Sequence, residues 1–399
     1  MMENLHKIIQ QHISNGLYPG VEWKINYKNN IFQGKLGYLN IELKKPIVTD
    51  TIYRIWSMTK PVISIVVLQL IEENKITLND PITDYLPQFK NLKVLENRDS
   101  IISNLVDIKQ MPTIKNLLSH TAGFSYNFIG DAVGREYDRV GLFHSETTSL
   151  EEEINLLATL PLLYQPSKEW VYSVSVDVLA RIIEIVTKGS LQSELKKRIF
   201  DPLEMKNTAF TVDPSNYEHL MTHYEFDPLQ KKLHDPMMRS QKIAGYGHPT
   251  DQLTYARGGH GLFSTLDDYE KFAQMLLTGK TKNGVNIISK SMLNQATTNH
   301  LDNHFFPLMI INFDTDIAAY LEDNDLAPYG WGLGFRVMMD LNKAEGIGSV
   351  GEFGWAGAAA TYFLVDPKNE LTAILMTQVL GADNILKKDF VREIYKNLK

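Results

Sequence analysis

The 399-residue sequence predicts an α/β fold in two lobes: an antiparallel sheet flanked by helices, plus a mainly helical lobe. Two observations carry this. Strand-like runs cluster at both ends of the chain, and the stretch between them reads as helices broken by loops. A chain that leaves a sheet and returns to it implies a discontinuous architecture. The expected parts are residues 1–78 and 286–399, forming the sheet lobe, and residues 79–285, forming the helical lobe.

The first element, within "MMENLHKIIQQHISNGLYPG", carries Leu5, Ile8, Ile9 and Ile13 at helical spacing and ends near Gly16. "GVEWKINYK" and "IFQGKLGYLN" read as two strands with hairpin breakers between them. "TIYRIW" is a third short strand. From Ser57 onward, Val62, Ile63, Val66, Val67, Leu70 and Ile71 form a helix apolar on nearly every face, hence buried. Asn79, Asp80 and Pro81 then mark a turn. Helices and loops follow to about residue 280. Near the C-terminus "YGWGLGFRVMM", "ATYFLVDP" and "LTAILMTQVL" return to strands, and "NILKKDFVREIYKNL" closes the chain as a helix. The first, last and Ser57 helices are expected to cover the sheet. No internal repeat is visible.

Composition narrows the function. With 44% hydrophobic and 22% charged residues the chain is an ordinary globular one. A net charge of −7 supplies no basic footprint, so neither nucleic acid nor an anionic membrane is expected as a partner. The absence of cysteine removes disulfides, thiolate catalysis and zinc–thiolate sites together. The N-terminus lacks the continuous apolar block of about 7–15 residues that a signal peptide needs. The most apolar run, residues 61–71, falls short of the roughly 20 residues that span a bilayer. A soluble cytoplasmic protein is expected; the oligomeric state is left open.

In "RIWSMTKPV" a serine and a lysine stand three positions apart at a helix start. One reading makes Ser57 a cap and Lys60 a solvated charge. The other makes them a nucleophile and its base, because positions i and i+3 share a helix face and a serine hydroxyl needs an adjacent base. A lysine serves only when neutral, so burial or a cationic neighbour must pull its pKa from about 10.4 toward about 7–8. The backbone N–H of Ser57, at a helix start, is a free donor for an oxyanion. The same spacing recurs at Ser193 and Lys196, where Glu194, Lys197 and Arg198 describe an exposed charged helix; that pair is read as structural.

"YRIWSMTKPV" resembles the nucleophile segment of the serine β-lactamase and penicillin-binding protein superfamily. "LLSHTAGF", "YSVSVDVLARIIE", "ARGGHGLFSTLDDYEKFAQMLL" and "FGWAGAAATYFLVDP" look like further markers of it, in the same order. The nearest flavour is the class C β-lactamase-like (family VIII) carboxylesterases. The resemblance implies a β-lactamase/DD-peptidase-like fold with the active site in the cleft between the lobes. It implies Ser57 as nucleophile, with Lys60 and Tyr172 moving protons. Tyr172-Ser173-Val174 is the positional match to the family's Tyr-x-Asn and lacks its asparagine. Literal Tyr-x-Asn strings headed by Tyr27, Tyr38 and Tyr395 are read as structural. The Lys/His-x-Gly motif becomes Trp355-Ala356-Gly357. The implied oxyanion donors are the N–H groups of Ser57 and Ala358, with Trp355 and Gly357 beside the substrate. An indole in place of the cation, and a valine in place of the asparagine, favour a neutral substrate over a carboxylate-bearing one.

Other signals are set aside. "GIGSVG" at 346–351 lacks a strand–turn–helix setting and reads as a hairpin or loop. No G-x-S-x-G is present. His219/His223 and His300/His304 lack the glutamate of a zinc-helix motif. His120 reads as a structural hydrogen-bonding residue, "GGHG" at 258–261 as a pocket border or tight turn, and Arg54 as a structural ion-pair partner. The expectation is a serine hydrolase working through an acyl-enzyme on a small-molecule ester or amide, with no cofactor and no metal. Small carboxylic esters lead. β-Lactamase, D-amino-acid peptidase or acyltransferase activity, or a non-turnover receptor for β-lactams or cell-wall fragments, are the alternatives.

Overall fold

The computed structural model describes residues 2–98, 100–142, 149–227, 230–234, 256–310, 326–382 and 384–398. Its centre is an eight-stranded antiparallel sheet built from both ends of the chain, as expected. The N-terminal strands are β1 (Gly20–Tyr27), β2 (Asn30–Asn40) and β3 (Lys45–Pro46). The C-terminal strands are β4 (Tyr329–Trp331), β5 (Arg336–Met338), β6 (Phe353–Ala356), β7 (Tyr362–Asp366) and β8 (Leu371–Met376). They lie in the order β4-β5-β6-β7-β8-β1-β2-β3, so β1 and β8 join the two halves. Their register pairs Trp23 with Leu375. The β1–β2 hairpin turns through Lys28 and Asn29, both at positive φ, which gives a two-residue loop the twist of its flanking strands.

Strand alternation decides which core each residue enters. Tyr362, Leu364, Ala373 and Leu375 face an outer core with the first helix, α1 (Met2–Ser14), and the last, Ile385–Asn397. Phe363, Val365, Ile374 and Met376 face the opposite way, into the larger core. That core is organised around α2 (Thr59–Glu72), in which every residue from Thr59 to Leu70 is buried. Beside α2 runs α3 (Ser175–Thr187). Helix α4 (Leu266–Thr278), within the stretch expected to be the helical lobe, packs against β8, β7 and β1. It joins the expected covering helices because Tyr269 and Phe272 present aromatic rings to the sheet, Tyr269 at 5.1 Å from Phe363.

Two local expectations change. The strand Ile52–Arg54 does not join the main sheet; it pairs with Phe263–Thr265. Ser57 lies on a 3-10 turn, Trp56–Met58, and α2 proper begins at Thr59. No described helix is long and apolar enough to cross a membrane.

Candidate active site

Ser57 is half-buried among neighbours that are fully covered. A 3-10 turn nearly eclipses positions i and i+3, and Lys60 Nζ lies 3.2 Å from Ser57 Oγ. Lys60 itself is buried, and its ammonium donates to the Gly259 carbonyl at 2.7 Å. Burial pushes its pKa down to about 7, with the charge of Asp177 pulling the other way. The rings of Tyr172 and Tyr126 stand 4.6 and 5.1 Å from Nζ.

Tyr172 arrives from the loop that runs into α3. Its hydroxyl is hydrogen-bonded to Ser57 and accepts the indole N–H of Trp355 at 3.1 Å. Burial raises its pKa, and those two hydrogen bonds oppose the rise. Ser57, Lys60, Tyr172 and Trp355 thus form one connected cluster. Trp355 is held on β6, where Phe363 is its cross-strand partner.

Gly357 follows β6 and passes close to the segment before the serine. A Cβ there would stand 2.5 Å from the Ile55 carbonyl oxygen and 2.2 Å from Thr361 Oγ1, so only glycine fits. The next residue, Ala358, is exposed. Among the described residues its N–H has no protein acceptor, which leaves it available as a donor.

Several residues entered the cluster without a sequence signal strong enough to single them out. Asp177 is buried in the first turn of α3 and accepts the Gly259 N–H at 2.9 Å. Trp331 packs edge-on to Trp355 at 4.6 Å and anchors its own N–H on the Leu118 carbonyl. Trp56, just before Ser57, has φ of +46°, an uncommon conformation for a bulky residue. It is clamped between His223 and His260, with ring centroids at 5.5 and 5.8 Å. Its indole N–H donates to His223 Nε2 at 3.2 Å, so that nitrogen is unprotonated. Burial, aided by Arg54, pushes the pKa of His223 down to about 3.

The remaining residues fall outside the cluster or serve it structurally. Ser193 donates to the Ser190 carbonyl at 2.8 Å, while Lys196 pairs with Asp201, so the second serine and lysine do not meet. Tyr395 donates to Glu352 and Asp366 on the far side of the sheet. His120 holds the loop of Tyr172, its Nδ1 accepting the Ser173 N–H at 3.2 Å. Residues 346–351 connect β5 to β6. Arg54 corrects an expectation: among the described residues no carboxylate pairs with it. Its guanidinium donates to the Met221 carbonyl at 3.3 Å and lies 5.5 Å from the Phe263 ring centroid.

A family model described as Beta-lactamase matches residues 5–396. The chain belongs to the beta-lactamase family. Within it, this beta-lactamase-family chain is 28% identical over 369 residues to the lovastatin esterase of Penicillium rubens, covering 88% of this chain and 87% of that one. It is 26% identical over 249 residues to esterase EstB of Burkholderia gladioli, covering 60% of each. Among solved structures it resembles "EstCE1, a hydrolase with promiscuous acyltransferase activity". That match has a TM-score of 0.80 at 24% identity and covers 98% of both chains.

Proposed function

We propose that the protein is a serine hydrolase that cleaves small carboxylic esters through an acyl-enzyme. The observation that carries this is the buried lysine, with a pKa lowered to about 7, whose Nζ lies 3.2 Å from the Ser57 hydroxyl. A solvated helix lysine would have neither property.

Ser57 Oγ forms a bond to the ester carbonyl carbon, and its proton passes to neutral Lys60. The N–H groups of Ser57 and Ala358 stabilise the negative oxygen of the tetrahedral species. The carbon–alkoxide bond then breaks, and the departing oxygen takes a proton from Tyr172, which is resupplied by Lys60. Water repeats the sequence in reverse sense to release the acid and restore Ser57. Every proton and electron pair in these steps comes from the three side chains, the substrate or water.

Neutral substrates are favoured because Trp355 directs its N–H at Tyr172 instead of offering a cation to a substrate carboxylate. The names of the esterase relatives support an ester. The test is a turnover screen across p-nitrophenyl esters of graded acyl length, with nitrocefin included. Turnover of short or medium esters above nitrocefin is expected. A preference for nitrocefin, or a permanent β-lactam adduct without ester turnover, would overturn the reading.

A further inference from the structure

We propose that Asp177 is a positioning residue which, through Gly259, holds a carbonyl on Lys60 and sets how readily the lysine carries a proton. This rests on reading Ser57 and Lys60 as the reacting pair, and adds a residue that acts on the base without touching the substrate.

The geometry is a short relay. Asp177 Oδ1 accepts the Gly259 N–H at 2.9 Å, and the carbonyl of that same glycine accepts from Lys60 Nζ at 2.7 Å. Gly259 is therefore fixed at both ends, and the glycine itself is required. A Cβ at 259 would stand 2.5 Å from Asp177 Oδ2 and 2.8 Å from the Tyr126 hydroxyl. The carboxylate reaches the backbone only because nothing projects from it.

A purely structural aspartate would be expected to satisfy both oxygens. Asp177 is 1% exposed, and its Oδ2 has no hydrogen-bond partner. A buried carboxylate oxygen left without a partner is destabilising, so folding alone does not account for an acid there. Burial raises the Asp177 pKa, and Lys60, the Gly259 N–H and Arg257 oppose that rise in favour of the carboxylate; in return the Asp177 charge opposes the effect of burial on Lys60.

The other groups around Lys60 leave this role to Asp177. His120 and His260, on the loops packed against the lysine, are both held neutral by burial. Tyr126 and Tyr172 present ring faces. Arg257, from the Gly259 segment, is bridged to Glu153. Among the described residues, Asp177 is the one carboxylate whose charge favours the ammonium form.

The test is the pH profile of kcat/KM for wild type and Asp177→Asn, with fold checked by circular dichroism. The amide retains an acceptor for Gly259 and removes the charge. Without the anion the lysine loses its proton more easily, so the acid limb should move about 1–3 units toward lower pH. A limb that stays in place in a folded variant overturns the proposal, since packing alone would leave it unmoved. Gly259→Ala keeps the charge and displaces the carbonyl; it should lower kcat by about 10²-fold, and wild-type rates would equally overturn the proposal. Fluorophosphonate labelling of wild type is read in parallel by peptide mass spectrometry. Label on Ser57 with a fixed acid limb removes the role of Asp177 alone. Label absent from Ser57 removes the reacting pair and this proposal with it.

Discussion

The Trp355 indole N–H donates to the Tyr172 hydroxyl at 3.1 Å, and that hydroxyl is also bonded to Ser57. A residue expected to meet substrate is therefore turned toward Tyr172, the residue proposed to move protons. Trp355→Phe keeps an aromatic ring and deletes the donor. A neutral hydrogen bond contributes about 0.5–1.5 kcal/mol, so kcat/KM for a butyrate ester should fall by about 2–13-fold. Tyr172→Phe should cost about 10²–10⁴-fold. Equal losses in the two variants would show that the indole does more than orient the tyrosine.

Lys60 and Tyr172 converge on one hydroxyl, so their effects should not multiply. Lys60→Ala and Tyr172→Phe should each cost about 10²–10⁴-fold in kcat, and the double variant should fall well short of the product. Steady-state kinetics of the three variants measure this; full multiplicativity would show two independent functions.

Burial of Lys60 also makes a stability prediction. Its pKa is about 7 in the folded protein against 10.5 as the ordinary value. The unfolded chain then binds more protons than the folded one between those two pH values, so this group makes stability rise with pH across that window. Below about pH 7 both states carry the proton and the cost of burial is fully present. Lys60→Met should flatten the rise in Tm between pH 7 and 10. An unchanged slope would indicate that the lysine titrates near its ordinary value.

Much of the fold was legible because its signals are local. Hairpin breakers around Lys28 and Asn29, β-rich runs at both ends and the wholly apolar α2 each declare themselves within a few residues. The pairing of Ile52–Arg54 with Phe263–Thr265 was not legible, since it joins segments about 200 residues apart through a short strand with no distinctive pattern. The placement of α4 on the sheet is likewise a tertiary choice: its amphipathic face states that it packs, not against what. In the site, Ser57 and Lys60 were picked out by spacing together with the ordered segments that resemble the family's, since Ser193 and Lys196 share the spacing. Asp177 stood unmarked inside "YSVSVDVLARIIE", because an aspartate in a first helical turn is ordinary. Its meaning depends on Gly259, 82 positions later.

Arg54 gives a direct check on the corrected expectation. Its guanidinium has no carboxylate partner among the described residues, and burial pulls its pKa down to about 10. Breaking a buried ion pair costs about 3–5 kcal/mol, whereas removing a half-buried charge with no carboxylate partner among the described residues carries no such loss. Arg54→Met should leave Tm unchanged or raise it. A drop equivalent to the loss of an ion pair, read by thermal denaturation, would contradict the structural assignment.

The central claim is that Ser57, activated by Lys60, carries the acyl group. The most direct measurement is fluorophosphonate labelling of wild type, Ser57→Ala and Ser193→Ala, with the modified peptide identified by mass spectrometry and ester turnover followed in parallel. The account predicts one label per chain on Ser57 in wild type and in Ser193→Ala, with full turnover in both. It predicts neither label nor turnover in a folded Ser57→Ala. Retained labelling or acyl-enzyme formation in Ser57→Ala would contradict it.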